Sequence, residues 1–355
     1  MSNKTPASLN NQSKISLLID AEELTGYQGL TVVRSIDAAA DSFSFSLPWD
    51  PTDANKYRFK PYYIRVVKVK LDSETIITGY IEKLGFSTAP GNRSANIQGR
   101  SASGVIMDWH PGPPFELSGL KFNAISKTLT QSIYDGYNVG IAYASPDFGP
   151  IPEVTIDPGQ TMYDILTPLA SAHNYWSRPT SEGRLEYLQF SSNAASVATL
   201  IEGTSPVKEI TTSHDVTKRF QEYRAIGASE GEPEVAATVS DYETLGIGVR
   251  GRQITALSQQ TTDITSAAKF ARAKAAINSY TCQISVDGWH YNGNLWTPGE
   301  IVTVQAPGAY IWNPTRLIIK QVTMTIDESG GQVCALDLGI PEAFDGTEPK
   351  DLPWD

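Results

Sequence analysis

The side chains able to do acid–base, metal or nucleophilic chemistry are few in this chain and poorly spaced for it. Four histidines, His110, His173, His214 and His290, lie far apart and form no H-x-x-x-H or H-E-x-x-H pattern. A zinc site therefore has no support, and no cofactor is expected. The stretch Gly246-Ile247-Gly248-Val249-Arg250-Gly251 carries glycines without the strand, loop and lysine of a phosphate cradle, and reads as loop. No G-x-S-x-G elbow occurs. Cys282 is in phase with Ile284 and Val286, and Cys334 with Leu336 and Leu338. Both sulfurs then point to the apolar side of a strand, as buried free thiols; a disulfide is the other reading. Paired carboxylates are the chemistry of glycoside hydrolysis. Asp164 and Glu186 are the candidates, near Tyr175 and Trp176, against a helix cap and a solvated strand face. No catalytic residue is assigned, and the chain is not expected to be an enzyme.

Aromatic residues carry more signal. Trp289, Tyr291 and Trp296 surround a turn through Asn292-Gly293-Asn294, and Trp49 holds the matching place earlier in the chain. Phe59-Lys60-Pro61-Tyr62-Tyr63-Ile64 has the same aromatic-x-Pro-x-x-Ile form as Trp296-Thr297-Pro298-Gly299-Glu300-Ile301. Trp49, Phe59, Pro61, Trp289, Trp296 and Pro298 are therefore candidate barrel-corner or assembly residues. Core tryptophans cap corners, and aromatics are enriched at protein interfaces. A third use, as stacking platforms for sugars, would make this a carbohydrate-binding or adhesion protein.

These residues sit on strands. Phe43, Phe45 and Leu47 alternate with Ser42, Ser44 and Ser46, so apolar and polar side chains take opposite faces. Similar runs at 15–19, 63–69, 75–81 and 95–99 make residues 14–102 a first β module behind a loose polar arm, 1–13. Residues 103–200 read as an α/β insert. Phe122, Ile125, Leu129 and Ile133 form a helical stripe, and Thr161-Met162-Tyr163-Asp164 a capping box. Pro168 should kink or shorten the second helix. A hairpin follows, 175–178 with 185–188 through the turn 181–183. A second β module spans 201–345, with a helix near 265–278 and an exposed acidic insertion at 229–249. An extended tail, 346–355, ends the chain. The fold class is mainly β with an α/β insert.

The two β modules look like copies. The aromatic-x-Pro motifs lie 237 residues apart (296 − 59), and Phe43, Phe45 and Leu47 match Cys282, Ile284 and Val286 at 239 (282 − 43). Downstream, Ile81 aligns with Val322 and Gly99 with Gly339. A chain holding two similar modules can mimic two subunits. Three such chains would present six modules in a ring, letting a threefold object dock on a sixfold one.

Composition bounds the class. The 355 residues suggest two or three domains at about 150 residues each. Lys and Arg number 28 against 39 Asp and Glu, a formal charge of −11, which argues against a basic nucleic-acid reader. Two cysteines are no disulfide scaffold. The opening Met1-Ser2-Asn3-Lys4 has no apolar run behind it, and no stretch is long and apolar enough to span a membrane. Folding in a cytoplasm is expected.

Several stretches resemble a known family, the baseplate hubs of Mu-like contractile-tail phages. They are Leu30-Thr31-Val32-Val33-Arg34-Ser35-Ile36-Asp37 with Ser42 to Phe45, and Ile77-Thr78-Gly79-Tyr80-Ile81 with Gly99-Arg100-Ser101. Arg219-Phe220-Gln221-Glu222-Tyr223 adds to them. The strongest is Asp287-Gly288-Trp289 through Pro298, followed by Leu317 to Thr323. The resemblance implies a homotrimer with two tube-like β-barrel domains per chain and smaller α+β domains. Six barrels would match the tail tube or its initiator above, with the central spike and other baseplate proteins attached. DNA would pass through without specific binding. It further implies a structural role in the virion, with obligate interfaces above about 2,000 Å² each.

Overall fold

The computed structural model describes residues 14–20, 22–24, 29–131, 133, 140–142, 146–227, 235–241, 252–257, 264–326, 331–347 and 353. The expected arm at 1–13, the glycine stretch 246–251, most of the tail, and Glu230, Glu232, Glu234 and Glu243 of the acidic stretch lie outside them. No helix among the described residues is long and apolar enough to cross a membrane.

Alternation builds the strands. In Ser42–Pro48, Phe43, Phe45 and Leu47 are buried while the intervening serines are half-buried, so one face commits to the core. Tyr280–Asp287 repeats the pattern with Tyr280, Cys282, Ile284 and Val286 inside. Among the described residues thirteen strands then hydrogen-bond into one large sheet. From the first module the order is Gly29–Ser35, Ser42–Pro48, Asn92–Ser101, Glu74–Ala89, Val66–Leu71, Ile15–Ile19 and Glu22–Leu24. From the second it is Val207–His214, Tyr280–Asp287, Gln332–Gly339, Ile311–Ile326, Ile301–Ala306 and Ser196–Ile201. The first five strands of each path correspond in sequence order and in direction. The sixth differs: Ile15–Ile19 runs antiparallel to its neighbour and Ser196–Ile201 parallel.

The ladders set the registers of the two copies side by side. Phe43 faces Gly99, which faces Ile81; Cys282 faces Leu338, which faces Ile319. A bulge follows in each copy, at Glu82 and at Lys320. The structural counterpart of Ile81 is thus Ile319, and that of Gly99 is Leu338, rather than Val322 and Gly339 as aligned by sequence. On the next strand Val69 faces Ile77 and Val304 faces Thr315, again with a bulge directly after. The offset there is 235 (304 − 69), two short of the sequence alignment.

The modules meet by strand pairing. Gln321, Thr323 and Thr325 lie opposite Ser35, Val33 and Thr31 in an antiparallel ladder. One apolar cluster consequently runs from Phe45 and Ile97 to Ile284, Met324 and Leu336 across both modules.

The segment between the modules folds around its own core of Phe122, Ile125, Leu129, Met162, Ile165 and Leu166. Its helices are Phe122–Thr130 and Met162–Ser171, and its hairpin pairs Trp176–Pro179 with Leu185–Leu188. Pro168 lies inside the second helix, which ends three residues later. A further small unit interrupts the second module. Glu222–Gly227 pairs with Val235–Ser240 and Arg252–Leu257 beneath the helix Ile264–Ser279. Residues 235–240 of the acidic stretch are thus a strand, and Asp241 is buried against Arg219 at 2.7 Å, which the expected exposed insertion did not anticipate.

Candidate assembly surface

The corner residues divide by burial. Phe59, Trp289, Trp296 and Pro298 are buried, Trp49 is half-buried and Pro61 is exposed. Trp289 donates its indole N–H to the carbonyls of Thr325 (3.3 Å) and Val333 (3.1 Å), tying the turn to two strands. Trp296 packs on Tyr291 at 4.4 Å between ring centres. With no exposed face, Trp296 offers nothing for a sugar to stack on. Trp49 packs against Phe59 and Phe86 at 5.7 and 4.6 Å. Its backbone N–H donates to the Arg93 carbonyl as the backbone N–H of Gly288 donates to the Gln332 carbonyl, so Gly288 is its counterpart and Trp289 stands one residue on.

The chemistry-bearing residues are engaged structurally. Thr161 and Asp164 close a reciprocal capping box on the second helix, which holds the Asp164 carboxyl below its ordinary range. Glu186 is paired with Arg178, whose Nε lies 2.7 Å away. Cys282 and Cys334 are free and buried, and burial pushes the Cys282 thiol up to about 12. His110 lies 3.0 Å from the Gln160 carbonyl, His173 stacks near Phe148 and His214 near Tyr280. Among the described residues no three His, Cys, Asp or Glu side chains cluster as metal ligands.

Several large apolar side chains are exposed close together in the first module. Tyr62, Tyr63, Ile64 and Val66 stand at the entry to the strand Val66–Leu71, and Phe86 on the far half of Glu74–Ala89. Arg65 stacks on Tyr63 at 4.5 Å and pairs with Asp20 at 2.5 Å. A groove of about 740 Å³ lies beside it, lined by Tyr63, Ile64, Tyr80, Lys83, Arg100 and Trp109. Arg100 anchors its wall through Glu82 (2.7 Å) and Asp108 (2.6 Å). The matching corner of the second module is closed. Ile301 and Ile318 are covered there by Ile36, Trp176 and Phe344, with Phe190 packed alongside.

Sequence reasoning missed this surface because it ended the strand at Ile81. The bulge at Glu82 breaks the alternation, although Leu84 and Phe86 resume it. The repeated Gln321-Val322-Thr323-Met324-Thr325-Ile326 is the signal that could have extended it.

A bulge-punctuated antiparallel strand motif repeated within one chain, with buried corner tryptophans in its second copy, defines a mainly β architecture. Over nearly its whole length the chain is similar to baseplate and tail proteins of Mu-like phages. Residues 14–101 match the family model described as Mu phage baseplate assembly protein GpP-like, N-terminal. Baseplate hub protein gp44 of Escherichia phage Mu is 23% identical, over 93% of this chain and 88% of that protein. The fold is that of the prophage MuSo2 43 kDa tail protein from Shewanella oneidensis (TM-score 0.78, 19% identity, 94% of this chain and 99% of that one). It is equally that of the tail protein from Neisseria meningitidis MC58 (TM-score 0.79, 18% identity, 95% and 100%).

Proposed function

We propose that the chain is a homotrimeric hub. Its six β modules, two per chain, form a ring of tube-like barrels around a channel for DNA. The ring adapts a threefold spike on one side to a sixfold tail tube, or its initiator, on the other. One observation carries this reading: two modules with the same strand order already join edge to edge within the chain, through residues 31–35 and 321–325. Repeating one kind of junction around a closed ring gives near-sixfold symmetry from three chains.

The division into modules at 14–102 and 201–345 with an insert at 103–200 is part of this proposal, with the strand Ser196–Ile201 at that boundary adding to the second module's sheet. So is synthesis in the host cytoplasm, in keeping with two buried free thiols. The charge of −11 suits a conduit that DNA passes without sticking, since an acidic wall repels phosphates. Sedimentation velocity on the purified chain tests the reading. A stable trimer at micromolar concentration is expected; a monomer there overturns it.

A further inference from the structure

The two strand edges left open by the intrachain junction match one another. Glu74–Ala89 pairs with Val66–Leu71 only as far as Tyr80, and among the described residues no strand takes the same edge of 83–87. The counterpart segment, 321–325, uses that edge to hold Gly29–Ser35. Val207–His214, the counterpart of Gly29–Ser35, pairs only with Tyr280–Asp287 among the described strands. Each half of the junction therefore exists a second time in the chain, unjoined among the described residues.

We propose that Val207–His214 of one copy adds antiparallel to residues 83–87 of the next copy, reproducing the intrachain junction between chains. This deepens and rests on the trimer reading. The registers follow from the ladders. Val32 faces Phe43 as Thr212 faces Cys282, an offset of 180 (212 − 32). Glu82 and Lys320, the two bulges, give 238 (320 − 82). The pairing of Ser35, Val33 and Thr31 with Gln321, Thr323 and Thr325 then maps to Asp215, Ser213 and Thr211 opposite Lys83, Gly85 and Ser87.

Independent properties agree with that register. Lys83 and Asp215 carry opposite charge and fall opposite each other. Phe86 is 44% exposed, whereas its counterpart Met324 is fully covered by the junction. At the ladder's end, Ile36 donates its N–H to the Lys320 carbonyl (2.9 Å) and packs with Ile301 and Ile318. The counterparts are Val216, Val66 and Tyr80. Ile36 and Ile301 are 6% and 1% exposed, but Val216 and Val66 are 43% and 48%. Two apolar side chains buried in one junction are thus exposed at the places where a second junction would bury them.

Cysteine pairing tests this. In the full chain carrying Ser87→Cys and Thr211→Cys, mild oxidation should give a covalent trimer on a non-reducing denaturing gel. Either single variant should stay a monomer there, because Cys282 and Cys334 are buried. Val216→Asp, at an exposed position, should leave the circular dichroism spectrum unchanged and raise the trimer's dissociation constant at least tenfold. A trimer by sedimentation that neither cross-links in this register nor weakens with Val216→Asp overturns the interface and leaves the hub reading standing. A monomer at micromolar concentration overturns both.

Discussion

Asp41 is the residue on which the molecule's pH response should turn. It is fully buried where Gly29–Ser35, Ser42–Pro48 and Asn92–Ser101 come together. Its carboxylate accepts from the Ser35 N–H at 3.2 Å, and the Arg34 guanidinium stands 3.5 Å away. Burial outweighs these partners and lifts its pKa from 3.8 to about 7. Folded protein then holds a proton that unfolded chain has already released between pH 4 and 7. The stability this gives is full below about pH 4 and is lost as pH rises through 7. Asp41→Asn should flatten that part of the pH profile, read as urea midpoints at pH 4.5, 5.5, 6.5 and 7.5. A slope equal to the parent's would show that the carboxyl titrates elsewhere. Trp296 makes a second case at this scale. Its indole is fully covered, so Trp296→Ala should cost about 3–5 kcal/mol of folding stability, as large aromatic truncations in cores do. A loss below about 1 kcal/mol would contradict its place as a corner pillar.

At the scale of elements, the bulges and the glycines beside them decide how strands stack. A Cβ on Gly99 would lie 2.0 Å from the Tyr80 carbonyl oxygen and 2.4 Å from the Phe43 ring, so the strand can approach its neighbours only without a side chain. Gly99→Ala should sharply lower thermal stability or soluble yield, whereas Gly112→Ala, with open space around its Cβ, should be near neutral. Equal melting temperatures for the two would refute the close approach. The helix Met162–Ser171 gives a milder test. Thr161→Ala removes its N-cap and should cost about 1 kcal/mol in chemical denaturation. Such local devices were legible in sequence: the cap at Thr161, the alternation from Phe43 to Leu47, the helical stripe from Phe122, and the repeat itself. The registers of the repeat were not. The ladder offset drifts from 239 at Gly99 and Leu338 (338 − 99) to 238 at Ile81 and Ile319 (319 − 81) and 235 at Val69 and Val304 (304 − 69), because the segments joining the strands differ in length. Alternation alone does not show those steps, so Ile81 was matched three residues beyond its true counterpart. Burial was not legible either. Pro61 and Pro298 share a motif, yet only the second is covered, because residues far along the chain, Phe190 and Phe344 among them, close that corner.

For the molecule as a whole, charge and edge pairing pull in opposite directions, and their magnitudes decide the outcome. Three chains would bring together a net charge of −33 (3 × −11) in one ring. Mutual repulsion on that scale acts across the entire assembly and is screened over about 10 Å at 0.1 M salt. The Lys83–Asp215 contact proposed between copies is an exposed pair, worth about 0.2–1 kcal/mol and screened as well. Apolar cover over Val66, Phe86 and Val216, together with a ladder of backbone hydrogen bonds, owes nothing to salt at these concentrations. Repulsion is therefore the larger salt-sensitive part, and trimerisation should strengthen as sodium chloride rises from 20 to 200 mM. Sedimentation equilibrium across that range checks the sign. The same chain should show no retention of duplex DNA on a gel anywhere in that range, because phosphate binding of a basic surface would be strongest at its low-salt end. A trimer that falls apart with added salt would mean that charge pairs, and not apolar strand edges, hold the ring closed.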